Sequence, residues 1–209
     1  MLPALLPLFP LPRVVLFPHG FLPLHIFEMR YRQMTAESLA THQHFIMALT
    51  RTHEGTDLVP ASAPVFETGC LARILKAEPM ADGRFNLLVQ GRWAVRIKEE
   101  PSPRSFRQAK GEAIPFEPRI PPEQSLTSAL LASLDRYASR FAIESEVGQL
   151  LNLELSPVVL LNTLCMALDL DPVEKQFLLE STSLGQMEER LLQVLEFALS
   201  GWNIPGSPS

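Results

Sequence analysis

Proline placement constrains this chain more than any other feature. Of its 19 prolines, 15 lie at or before Pro122 and only four follow. Proline removes a backbone donor and breaks helix interiors, so the first 122 residues favour strands and turns, whereas the remainder is free to be helical. The hydrophobic spacing changes at the same place. Apolar residues tend to alternate before "FEPRIPPEQ" and recur at helical intervals after it. We therefore expect two parts: residues 1–118 as a β-rich subdomain and residues 119–204 as a helical bundle. Residues 205–209 are expected to form a frayed tail.

Within the first part, "RFNLLVQGRWAVRIK" is the clearest strand. It sets Trp93, Val95 and Ile97 on one face and Arg92, Arg96 and Lys98 on the other, with Gly91 marking a bulge or bend. Asp82-Gly83 sits between two apolar runs, where glycine supplies the positive φ of a hairpin turn. "HFIMALT" and "RQAKGEAI" are further strand candidates, and "FEMRYRQMTAESLATH" supports one helix. The expectation is a twisted, mostly antiparallel sheet curled toward a barrel, with that helix covering an opening.

Four helices are expected in the second part. Leu126, Leu130, Leu134, Tyr137 and Phe141 form one stripe. Ser156-Pro157 opens a second helix that is apolar nearly all round and is expected at the centre of the bundle. Asp171, Pro172 and Glu174 spell a capping box for a third. Ser183 and Gln186 repeat the device for the last, which Gly201 ends.

Bulk composition excludes several function classes. A formal net charge of -5 leaves no broad basic field for nucleic acid. Cys70 and Cys165 stand far apart with no disulfide framework, which fits a reducing compartment. The opening "MLPALLPLFPLPR" is apolar but interrupted by proline and lacks the basic start of a leader, so it is expected to be mature structure. "LSPVVLLNTLCMAL" falls short of the ~20 residues needed to cross a bilayer. A cytoplasmic protein with no membrane association is expected.

The search for chemistry returns little. No phosphate-cradling G-x-x-x-x-G-K-[ST] loop, G-x-S-x-G elbow or C-x-x-C pair occurs. "HEGTD" at His53 lacks the second histidine of a zinc helix, and His42 with His44 supplies only two ligands. His19 and His25 occur singly and suit packing roles. The expectation is an enzyme-free protein with no metal and no cofactor.

Three stretches, "LPLFPLPRVVLFPHGFLPLHIFEMRYRQM", "ETGCLARILKAEPMADGRFNLLVQGRWAVRI" and "LSPVVLLNTLCMALDLDPVEKQFLLESTSLGQMEERL", together resemble the N-terminal substrate-binding domain of Lon proteases, in its free-standing bacterial version. The resemblance runs from Leu2 to about Ala198. It implies an α+β fold, a PUA-like pseudo-barrel with one covering helix followed by a bundle of about four helices. It also implies recognition of unfolded or exposed polypeptide segments, in concert with a separate protease or chaperone. No counterpart of the ATPase and Ser-Lys protease modules of full-length Lon is expected, so cleavage is not carried over.

The residues themselves place the binding groove at the opening stretch. Pro10, Pro12, Pro18 and Pro23 suit edge strands, Phe17, Leu22, Leu24 and Ile26 suit the core, and Glu28 with Arg30 or Arg32 suits a tether from helix to sheet. Phe21, following Gly20 in a turn, is expected to be exposed beside Arg30 and Tyr31, with Arg92 and Arg96 flanking the groove. Weak polypeptide binding by such a surface requires no nucleophile. Two rival readings are RNA binding through Arg73, Arg84, Arg92, Arg96 and Arg107, and a hydrolase whose catalytic pair is assembled only in the fold.

Overall fold

The computed structural model describes residues 3–51, 60, 62–117 and 126–201. The expected boundary at 118/119, the His53 segment and the 205–209 tail lie outside the described residues. The chain divides into two compact units, Met1–Pro115 with Leu170–Glu180, and Phe116–Asp169 with Ser181–Ser209.

Among the described residues, six strands build the first unit: β1 (Leu6–Leu11), β2 (Phe21–Ile26), β3 (His44–Leu49), β4 (Thr68–Pro79), β5 (Phe85–Glu100) and β6 (Arg107–Ala113). Their order is β2-β5-β4-β3-β1-β6, and β6 pairs back onto β5. The ring β5-β4-β3-β1-β6 is therefore closed, and the long β5 carries β2 along its first half. Of these six strands, β1 and β3 pair in parallel and the other pairings are antiparallel. This is the expected pseudo-barrel. Its inner core draws on all five ring strands through Leu6, Leu8, Ile46, Ala48, Leu71, Val95, Ile97 and Ala109.

Two devices shape the ring. On β5, Leu71 pairs with Trp93 but Ala72 pairs with Gly91, so Arg92 is the extra residue of a bulge. A second shift, at Leu75, bends β4. At Gly91 an added Cβ would lie 2.0 Å from the Phe17 carbonyl oxygen. Only a glycine lets the Phe17–Gly20 turn dock there, where the His19 amide donates to the Gly91 carbonyl at 2.8 Å and the Gly91 amide donates to the Gly20 carbonyl at 2.9 Å.

The prolines differ from expectation in one respect. Pro23 does lie in an edge strand, but Pro7 and Pro10 lie in β1, between β3 and β6. They are tolerated because the two pairings barely overlap: β6 covers Leu6 to Leu8 and β3 covers Leu8 to Leu11, so each proline has a neighbouring strand on one side only.

Helix α1 (Met29–Ala40) covers the outside of the ring through Tyr31 and Met34. Tyr31 meets Phe9 edge-on at 4.5 Å, and Phe9 in turn meets Phe45 at 5.7 Å. Phe17 and Phe45 are wholly buried, each contributing about 1.5–3 kcal/mol. The expected tether divides into two contacts. Glu28 pairs with Arg30 at 2.8 Å within the helix start, while the Arg32 Nε donates to the Gly83 carbonyl at 2.6 Å and ties α1 to the β4–β5 hairpin.

Helices α2 (Ser128–Phe141), α3 (Glu144–Leu151), α4 (Pro157–Ala167) and α6 (Leu184–Leu199) form the second unit. Helix α5 (Pro172–Leu179) groups with the sheet, where the Gln176 side chain donates to the Thr68 carbonyl at 3.0 Å. Of the expected stripe, Leu126 lies just before α2 and is buried, as are Leu130, Leu134 and Tyr137 within it, but Phe141 is exposed. The expectation that α4 is central is corrected: it fully buries Leu161, Asn162, Leu164 and Cys165 on one face, and most of the rest is half-buried.

Candidate functional site

Strand register assembles a surface that no short motif announces. His44 on β3 lies opposite Arg73 on β4, Arg73 lies opposite Gln90 on β5, and Gln90 lies opposite Phe21 on β2. Residues directly opposite one another point to the same face of a sheet, so these four side chains form a single row across four strands. Trp93 stands in the next row opposite Leu71, and the pair Leu88–Pro23 lies on the other side. The bulged Arg92 donates to the Gln90 side chain at 3.3 Å. Phe21 is 56% exposed, Leu75 45% and Trp93 38%, which leaves an apolar surface interleaved with two guanidinium groups.

The charges in this row act on one another. Burial lowers the His44 pKa first; its Nδ1 bond to the His42 carbonyl opposes that shift, and the nearby Arg73 and Arg92 charges lower it further. His42 is likewise lowered by burial and by His44. Among the described residues, neither Arg73 nor Arg92 has a carboxylate partner. Next to this row, Lys76 pairs with Glu78 at 2.6 Å, so the uncompensated positive charge stops at Arg73.

The five residues expected at the groove fall into separate places. Phe21 and Arg92 meet around Gln90. Arg96 lies further along β5, opposite Thr68 on β4 and Glu112 on β6. Arg30 and Tyr31 instead line a cleft of about 270 Å³ with Pro10, Glu99, Phe106 and Arg107. There Arg30 lies over the Tyr31 ring at 4.5 Å, and burial pushes the Tyr31 phenol up to about 12. Tyr31 is 4% exposed, so it contributes to packing rather than to an open surface. His44, Gln90 and Trp93 do not belong to the expected groove, and Arg73 belongs only to the RNA reading. Their signal is the register of three strands rather than spacing along one.

The arginines considered for RNA do not form one face. Arg84 is paired with Asp82 at 2.5 Å, and Arg107 holds Glu99 through two contacts. Among the described residues, no three His, Cys, Asp or Glu side chains cluster as metal ligands. Cys70 is wholly buried, and burial pushes its thiol up to about 12, a state unsuited to nucleophilic attack. Among the described residues, no helix is long and apolar enough to cross a membrane.

A closed five-stranded ring with an added strand and a covering helix, joined in the chain to a four-helix unit, defines the class of α+β protein at hand. The chain belongs to the ATP-dependent protease La (LON) substrate-binding domain family, whose model matches residues 5–197. It is 27% identical over 210 residues to the Lon protease of Rhizobium meliloti, covering 94% of this chain and 24% of that protein. It is also 27% identical over 181 residues to Lon protease 2 of Syntrophobacter fumaroxidans, covering 86% and 22%. The chain thus spans about a quarter of the length of the curated relatives it matches.

Solved structures share the fold. The N-terminal domain of the Mycobacterium avium complex Lon protease superimposes with a TM-score of 0.61 at 18% identity, covering 92% of this chain and 98% of that one. The Lon N-terminal domain protein from Xanthomonas campestris gives 0.63 at 19% identity, covering 90% and 97%.

Proposed function

We propose that this protein is a non-catalytic polypeptide-binding module that receives exposed segments of other chains on the β3–β4–β5–β2 face. The observation that carries this reading is the row His44–Arg73–Gln90–Phe21, with Phe21 and Trp93 exposed beside it. Partly exposed aromatic rings gain from covering by a partner, and they supply rigid contact area at low entropic cost. Family membership supports polypeptide as the ligand class, since the matched model is a substrate-binding domain. The same model supports a role without cleavage, because it covers residues 5–197 as a binding domain. A cytoplasmic setting and a separate protease or chaperone as partner belong to the same proposal.

The test is titration of the protein with a reduced, carboxamidomethylated polypeptide that cannot refold. Binding is expected, and Phe21→Ala with Trp93→Ala is expected to weaken it about tenfold, equivalent to about 1.4 kcal/mol. Arg30→Ala, in the separate cleft, is expected to leave the affinity unchanged. An unfolded chain that fails to bind, or binding indifferent to the double replacement, contradicts the proposal.

A further inference from the structure

We infer that the face selects acidic segments, specifically those with an apolar side chain and a carboxylate about three residues apart. The inference rests on the polypeptide-binding reading and names its substrate class. Arg73 occupies the middle of the four-strand row, His44 flanks it, and Arg92 reaches the same place from the bulge. No carboxylate stands in that row or in the Ile46–Leu71–Trp93 row beside it. The molecule as a whole carries -5, so its distant field opposes an acidic partner. Charges more than about 8–10 Å away are screened at physiological salt, which leaves the local cations in control of what docks.

Strand spacing sets the pattern of the ligand. Neighbouring strands lie about 4.8 Å apart, so Phe21 and Arg73, two strands apart, are separated by about 10 Å. A segment in the polyproline II conformation advances about 3.1 Å per residue and completes a turn every three residues, so side chains three apart share one face and cover that gap. A segment lying along the row thus sets an apolar side chain against Phe21 and a carboxylate between Arg73, Arg92 and His44. Guanidinium groups suit this role because they meet a carboxylate through two parallel bonds.

Two 12-residue peptides test the inference, one carrying leucine and glutamate in this spacing and the other with glutamine for each glutamate. Fluorescence anisotropy with the whole chain is expected to show the glutamate peptide binding at least tenfold more tightly, with the gap shrinking as salt is raised. Arg73→Gln with Arg92→Gln is expected to abolish the gap; both side chains are exposed, and an unchanged melting temperature confirms folding. The groups acting on His44 are His42, Arg73 and Arg92, all neutral or positive, so a bound carboxylate is expected to raise its titration midpoint in an NMR titration. Equal affinity for the two peptides overturns the inference and leaves polypeptide binding intact. Failure of both peptides and of the unfolded polypeptide overturns both readings, and tighter binding of a single-stranded oligonucleotide than of the glutamate peptide overturns the acidic-segment assignment.

Discussion

Single side chains already separate what shapes this molecule from what its surface offers. At Gly91 the approach of the Phe17 carbonyl leaves no room for a methyl group, so Gly91→Ala is expected to destabilise the first unit by about 1–3 kcal/mol in urea melts. Gly148 in α3 has nothing within 4 Å of an added Cβ, and Gly148→Ala is expected to stabilise by about 0.5–1 kcal/mol. An opposite ordering would refute the packing assigned to the Phe17–Gly20 turn. His42 and His44 provide a pH dependence of known sign. Both have a folded pKa below their ordinary 6.5, so the unfolded chain takes up protons first as pH falls. Their contribution to stability is fully present above about pH 6.5 and declines below it. Melting temperatures recorded from pH 5 to 8 are expected to fall at the acid end, less steeply in His44→Gln.

Elements differ in how openly the sequence declares them, and the difference has physical causes. The capping box of α5 is local chemistry: the Asp171 carboxylate accepts from the Val173 amide at 2.8 Å and Glu174 accepts from the Asp171 amide at 2.8 Å. Asp171→Ala is accordingly expected to cost about 1 kcal/mol, measured by chemical denaturation. The Asp82-Gly83 hairpin was equally legible, because Gly83 adopts φ 79° as the turn requires. Helix α3 was not: its eight residues include Gly148 and carry no side-chain cap. The grouping of α5 with the sheet was also hidden, since it depends on Gln176 reaching the Thr68 carbonyl 108 residues away. The exposure of Phe21 could be read from the Gly20-Phe21 turn, but its row could not. Bulges at Arg92 and Leu75 reset which residues face each other, and a one-residue slip exchanges the two faces of a strand.

At the scale of the whole molecule, the binding proposal requires a firm scaffold and an uncommitted surface. Ring closure supplies the first by pairing β6 with β5, so that among the described residues the ring leaves its free strand edges to β2 and to the unpaired stretches of longer strands. The β3–β4–β5–β2 face supplies the second, with aromatic rings and cations set on paired strands rather than on loops. The most direct test maps backbone amide NMR shifts of the intact chain as the reduced, carboxamidomethylated polypeptide is added. The account predicts the largest changes at Phe21, Arg73, Gln90 and Trp93, with the amides of Arg30 and Tyr31 still. Changes centred on the Arg30–Tyr31 cleft, or none at saturating polypeptide, would contradict it.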